Sequence, residues 1–186
     1  MKPVSGMIDT QWNMKPNKAK ALMLAKRQLA EFVCDAVNLE GINLTLPEIQ
    51  TLLDGITVGG HKLSDQQIAL NQADAWRTLF GLIEKNQFEI TCEKVCALHL
   101  IAGKEEALEY GQFRSGGVTI AGTDYMPPQA DALPGLFEKM VQDSFLIPDI
   151  YDRAIHYFLT MARCPVFYYV NKRMGRFIMN GRLLDN

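Results

Sequence analysis

The chain has 186 residues, 48% hydrophobic and 22% charged, enough to bury the core of one globular domain and too few for two full ones. A formal net charge of −2 provides no overall basic field, which argues against general affinity for DNA unless cations are concentrated locally. They are concentrated: from Arg153 to Arg182 the chain carries Arg153, Arg163, Lys172, Arg173, Arg176 and Arg182 with no Asp or Glu between them.

The amino-terminal stretch "MKPVSGMIDTQWNMKP" has an early Lys but no continuous apolar run after it, which argues against a secretory signal. The apolar stretch Ile155 to Val170 is interrupted by His156, Arg163 and Pro165 and reads as a buried helix and loop, not a membrane span. A cytoplasmic protein is expected. Cys34, Cys92, Cys96 and Cys164 are scattered, and Cys92 and Cys96 share a helix face without a His or Cys that completes a metal set.

In chain order, "NKAKALMLAKRQLAEFVCDAVNLEG" places Leu22, Leu29, Phe32, Val33 and Val37 at helical spacing, with Gly41 as the stop. Thr45 to Glu48 reads as a capping box with Pro47 in the first turn, opening "LPEIQTLLDG". Ser64 opens a long helix through "IALNQADAWRTLFGLIEKN", and Thr91 opens another through "KVCALHLIAG". The pattern then changes. "YGQFRSGGVTIAGTDYMPPQA" alternates Val118 and Ile120 between Gly116-Gly117, Gly122 and Pro127-Pro128, which is hairpin chemistry. One hairpin cannot build a core sheet, so it should lie on the helices as a flap. Helical spacing resumes in "DALPGLFEKMVQDSF" and "PDIYDRAIHYFLTMAR", and a last helix follows Asn171. The expected fold is mainly α, a single helical domain over 1–186 with one inserted β-hairpin flap at 111–128.

The last helix raises a question of charge. A helix amino terminus carries partial positive charge, yet Lys172, Arg173 and Arg176 crowd the first two turns. Asn171 is a favoured N-cap residue, and Met174, Phe177, Ile178 and Gly181 fall on one core-facing stripe. Backbone N–H groups and guanidinium forks then meet at one place, which suits a phosphate chain. A solvated basic helix end paired with carboxylates elsewhere fits the same pattern.

"FYYVNKRMGRFIMNGRLL" resembles the end of the Fic (Fic/Doc) signature H-x-F-x-D/E-G-N-G/K-R-x-x-R, with Phe167, Asn171, Lys172, Arg173 and Arg176 in register. "GQFRSGGVTIAGTDYMPP" is similar to that family's flap hairpin. "AVNLEGINLTLPEI", within about 30–45, resembles its amino-terminal inhibitory motif S/T-x-x-x-E-G/N. The resemblance implies a Fic-like helical domain that binds ATP, with Asn171, Lys172, Arg173 and Arg176 on the nucleotide and its phosphates. It implies that Val118, Thr119 and Ile120 hold a protein target by strand addition. It also implies that Glu40 acts as an inhibitory carboxylate against Arg176, although the supporting Ser/Thr falls on Ala36.

The stretch 165–176 also departs from the signature. The motif His falls on Pro165, which has no titratable group to accept a proton from a target hydroxyl. The Asp/Glu falls on Tyr169, a poor ligand for Mg²⁺ near neutral pH, and the first Gly falls on Val170. His156 on the preceding helix is a substitute base only if it escapes burial in the core. The activity implied is protein adenylyl transfer, weakened or lost. A noncatalytic nucleotide- or protein-binding module and, from Lys172 in the motif, a Doc-like phosphotransferase are the alternatives. The chain stops ten residues after Arg176, at Asn186, where a Fic domain continues into further helix, which reads as a shortened carboxyl end. The sequence does not fix the oligomeric state.

Overall fold

The computed structural model describes residues 15–186, so the reading of most of "MKPVSGMIDTQWNMKP" lies outside the described residues. Eight α-helices form the described part: α1 (Lys18–Arg27), α2 (Leu29–Asn38), α3 (Leu46–Leu53), α4 (Leu63–Glu84), α5 (Cys92–Ala102), α6 (Leu133–Ser144), α7 (Ile150–Arg163) and α8 (Asn171–Leu184). The long α4 is central and touches α1, α2, α3, α5 and α8. Trp76 on α4 packs on Phe32 at 4.9 Å between ring centroids and on Phe177 of α8 at 4.7 Å, so one aromatic cluster ties three helices together.

Several local expectations hold. Leu22, Val33 and Val37 are buried, as are Met174, Phe177, Ile178 and Gly181 on the core stripe of α8. Gly41 follows α2 at φ +83°, a conformation that favours a residue without Cβ. Glu48 accepts from Thr45 N at 2.8 Å and Thr45 Oγ1 at 2.7 Å; these two bonds, with a contribution from His61, hold its carboxyl down to about 2.

Three local expectations are corrected. The first helix is broken at Gln28, whose φ −92° and ψ 14° depart from helical geometry, so α1 and α2 are separate elements. The long helix starts at Leu63 with Lys62 as an N-cap that makes no side-chain bond; Ser64 is already inside it and turns toward Asp65 Oδ1 at 3.5 Å. The β-hairpin at 111–128 is not formed, and no strand occurs among the described residues. Its alternation rests on Val118 and Ile120 alone. Thr119 and Ile120 are exposed, Val118 is half-buried, and no backbone hydrogen bond joins the two limbs. Without a buried face or a ladder, two β-formers among glycines remain extended coil.

α7 and α8 are joined by the short loop 164–170 and pack as an antiparallel pair. Gly175 makes their close approach possible: a Cβ there would lie 3.2 Å from Met161 Cβ and 3.3 Å from Phe158 O. The loop between these helices and the first turn of α8 form the candidate site.

Candidate functional site at the amino end of α8

The loop 164–170 is fixed mainly by its backbone. Asn171 is not the N-cap but the first helical residue, and its side chain turns back: Oδ1 accepts from Phe167 N at 2.9 Å and Nδ2 donates to Phe167 O at 2.8 Å. Val170 takes the cap position at φ 67° and ψ 8°, a left-handed conformation that is unusual for a β-branched residue. It is also buried, so packing holds the strained residue in place. Phe167 is fully buried and stacks on His99 of α5, with ring centroids 3.7 Å apart and planes within 7°.

His99 joins this loop to the segment after α5. Its Nδ1 accepts from Gly111 N at 3.2 Å, which makes Nε2 the protonated nitrogen that donates to Tyr169 O at 3.3 Å. Burial, opposed by the bond to Tyr169 and reinforced by the charge of Arg173, lowers its pKa to about 4. His99 is therefore a neutral positioning residue near physiological pH. Gly103 leaves room for it: a Cβ there would be 2.8 Å from His99 Nε2.

Arg114 braces the other side of the loop. Its backbone N donates to Val166 O at 3.0 Å, and its side chain donates to Pro165 O at 2.8 Å, Gly116 O at 2.5 Å and Pro128 O at 2.6 Å. This buried cation holds both ends of the 111–128 segment against the loop using carbonyl dipoles.

The cations of α8 have different surroundings. Arg173 is buried and forms a bidentate pair with Glu106, Nη1 to Oε2 at 2.8 Å and Nη2 to Oε1 at 2.7 Å. Glu106 is positioned by the turn after α5, where its N–H and that of Ala107 bond Gly103 O at 3.1 and 3.0 Å. Glu40, beyond the end of α2, places Oε1 3.7 Å from Arg173 Nε. The expected Glu40–Arg176 pair is thus replaced by Glu40–Arg173, although Glu40 and Arg176 line the same cleft. That cleft, about 200 Å³, is bounded by Glu40, Phe158, Lys172, Arg173 and Arg176. Lys172 is exposed, Arg176 is half-buried, and neither makes an ion pair among the described residues.

The remaining sequence candidates are less central to this geometry. Pro165 presents only its carbonyl, to Arg114, while the Tyr169 side chain is half exposed and its carbonyl faces His99. The donor set fits Mg²⁺ poorly: a phenol stands at the acid position, and the cleft's carboxylate lies against Arg173. His156 lies 3.3 Å from Met140 O, engaged with α6 away from the loop. Val118, Thr119 and Ile120 sit on the extended segment that Arg114 anchors. Glu106, His99 and Arg114 escaped the sequence reading. His99 had one signal, a lone His on the apolar face of α5; nothing in the spacing of "GKEEALEY" or "GQFRSGG" singles out the other two.

The chain has the fold of a Fic domain. A Fic family protein from Desulfovibrio desulfuricans G20 superposes with a TM-score of 0.68 at 20% identity, covering 95% of this chain and 52% of its own. A Fic-domain-containing signaling protein from Bacteroides thetaiotaomicron gives 0.76 at 18% identity, covering 95% and 70%. Fic-1 from C. elegans gives 0.72 at 20% identity, covering 95% and 53%. The chain spans about half the length of the first and third of these proteins. No family model matches the sequence, and none of the curated proteins does. No helix among the described residues is long and apolar enough to cross a membrane.

Proposed function

We propose that the cleft at the amino end of α8 binds the phosphates of a nucleotide, ATP in the first instance, and that the protein transfers AMP to protein hydroxyls weakly or not at all. The observation that carries this reading is a retained cationic cleft beside a loop without the usual reacting groups. Lys172 and Arg176 are the cations left to meet a phosphate, since Glu106 occupies both terminal nitrogens of Arg173. Asn171 shapes the loop from within the helix. Pro165 supplies no base, the position that would support a metal carries Tyr169, and the loop's first glycine position carries Val170. Glu40 acts as a built-in anion that disfavours phosphate near Arg173 and Arg176.

Calorimetry with ATP tests the binding. Arg176→Ala removes a charge-assisted partner worth about 1.5–3 kcal/mol, so affinity falls roughly tenfold or more. Glu40→Gly strengthens binding. Equal ATP affinity in wild type and Arg176→Ala would overturn the site assignment. The expectation for catalysis is checked with labelled ATP, Mg²⁺ and a cell lysate: even Glu40→Gly gives little label on protein, and robust labelling would show that another residue supplies the base.

A further inference from the structure

The acid-free run that opens at Arg153 and closes at Arg182 has two ends, and the cleft above uses only its middle. Because α7 and α8 are antiparallel, the first turn of α7 lies beside the last turn of α8, and Arg153 and Arg182 line one cavity of about 360 Å³. Ten residues separate Lys172 from Arg182, which places this cavity about 15 Å along the α8 axis from the phosphate cleft.

The chemistry of the cavity is amphiphilic. Phe88, Ile90, Phe145 and Tyr157 give it an apolar wall, and Phe145 remains 70% exposed at its mouth. Arg153 donates Nε and Nη2 to the neutral carbonyl of Ile147 at 3.0 and 2.7 Å, so its charge has no carboxylate partner there. Arg182 makes neither an ion pair nor a side-chain hydrogen bond among the described residues, and it is half-buried. The two lining acids are engaged elsewhere: Glu89 with Lys94 at 2.8 Å and Asp185 with Lys18 at 2.7 Å. Thr91, the N-cap of α5, brings that helix's positive end to the same wall.

We propose that this cavity binds a small carboxylate with an aromatic or branched apolar body. The size and predominantly apolar lining, with a few placed polar groups, are those of a small-molecule site. Guanidinium forks match the planar geometry of a carboxylate. This assignment is independent of nucleotide binding at the other end of α8.

The test is titration of the full chain with 3-phenylpropionate, followed by calorimetry and by amide chemical shifts around Arg182 and Phe145. Binding should be saturable. Arg182→Gln, which removes no bond seen in the described residues, should weaken it at least tenfold while leaving the melting temperature of the unliganded protein and its ATP affinity unchanged. Phe145→Ser, at an exposed ring, should weaken it independently of any arginine. The uncharged 3-phenylpropanamide and the bodiless propionate should each bind at least tenfold more weakly than 3-phenylpropionate. Failure to saturate at millimolar concentration, equal affinity in Arg182→Gln and wild type, or equal binding of the amide or of propionate would overturn the proposal.

Discussion

Replacing Glu106 with Gln tests whether the Arg173–Glu106 pair anchors α8 to the turn after α5. The side chains are 3% and 7% exposed and meet through two hydrogen bonds of 2.7 and 2.8 Å, so neither charge is well hydrated. Two unit charges about 4 Å apart attract by roughly 4 kcal/mol at an effective dielectric of about 20, and breaking one side of a buried pair generally costs about 3–5 kcal/mol. Glu40 offsets part of that loss from 3.7 Å, but its side chain is 28% exposed and its contribution is screened. A loss of about 3 kcal/mol is therefore expected for Glu106→Gln, against less than about 1 kcal/mol for Glu40→Gln. For a chain of this size the larger loss lowers the melting temperature by roughly 6–12 °C. Urea denaturation of wild type, both single variants and the double variant separates the contributions, and Glu40→Gln should cost more once Glu106 is already neutral. If Glu106→Gln costs less than about 1 kcal/mol, the pair does not anchor α8 and the reasoning fails.

Two further predictions concern the loop. His99 has a pKa lowered from 6.5 to about 4, so between those values the unfolded chain binds a proton there that the folded chain does not. Stability therefore falls as pH drops through that window; the gap is worth about 3 kcal/mol at 1.36 kcal/mol per pH unit. Ring resonances of His99 should show a neutral imidazole at pH 5.5, and titration near 6.5 would contradict the buried, bonded environment. Val170 and Val166 are both buried in the loop, but only Val170 has a positive φ. Glycine substitution should therefore cost about 1–2 kcal/mol less at Val170 than at Val166, since it relieves left-handed strain only there; equal urea midpoints would show that Val170 carries little strain.

How much of this was legible in the sequence depends on how local the determining interaction is. The core stripe of α8 follows from Met174, Phe177, Ile178 and Gly181 because 3.6-residue periodicity is a property of the helix itself. The Thr45–Glu48 cap is legible for the same reason, since both partners lie within one turn. Asn171 is a favoured N-cap residue, but a competing interaction takes its side chain: the amide reaches two backbone groups of Phe167, while Val170 is held in the cap position by packing. The hairpin expected at 111–128 does not form because two alternating β-formers cannot supply a ladder partner. Glu106 joins Arg173 across 67 positions, and no periodicity announces such a pairing.

The charge problem at the start of α8 resolves through those distant carboxylates. Arg173 tolerates the positive helix end because it is buried against Glu106, with Glu40 on its other side, so this cation is neutralised within the described fold. Lys172 and Arg176 have no such partners among the described residues and remain at the cleft, which separates a structural arginine from the two cations able to meet an added anion. The same motif thus divides into one buried, paired arginine and two cations that line the cleft, which the linear sequence presents alike. That division explains why Arg176, rather than Arg173, is the informative substitution for nucleotide affinity: truncating Arg173 would leave Glu106 buried without its partner and confound binding with stability.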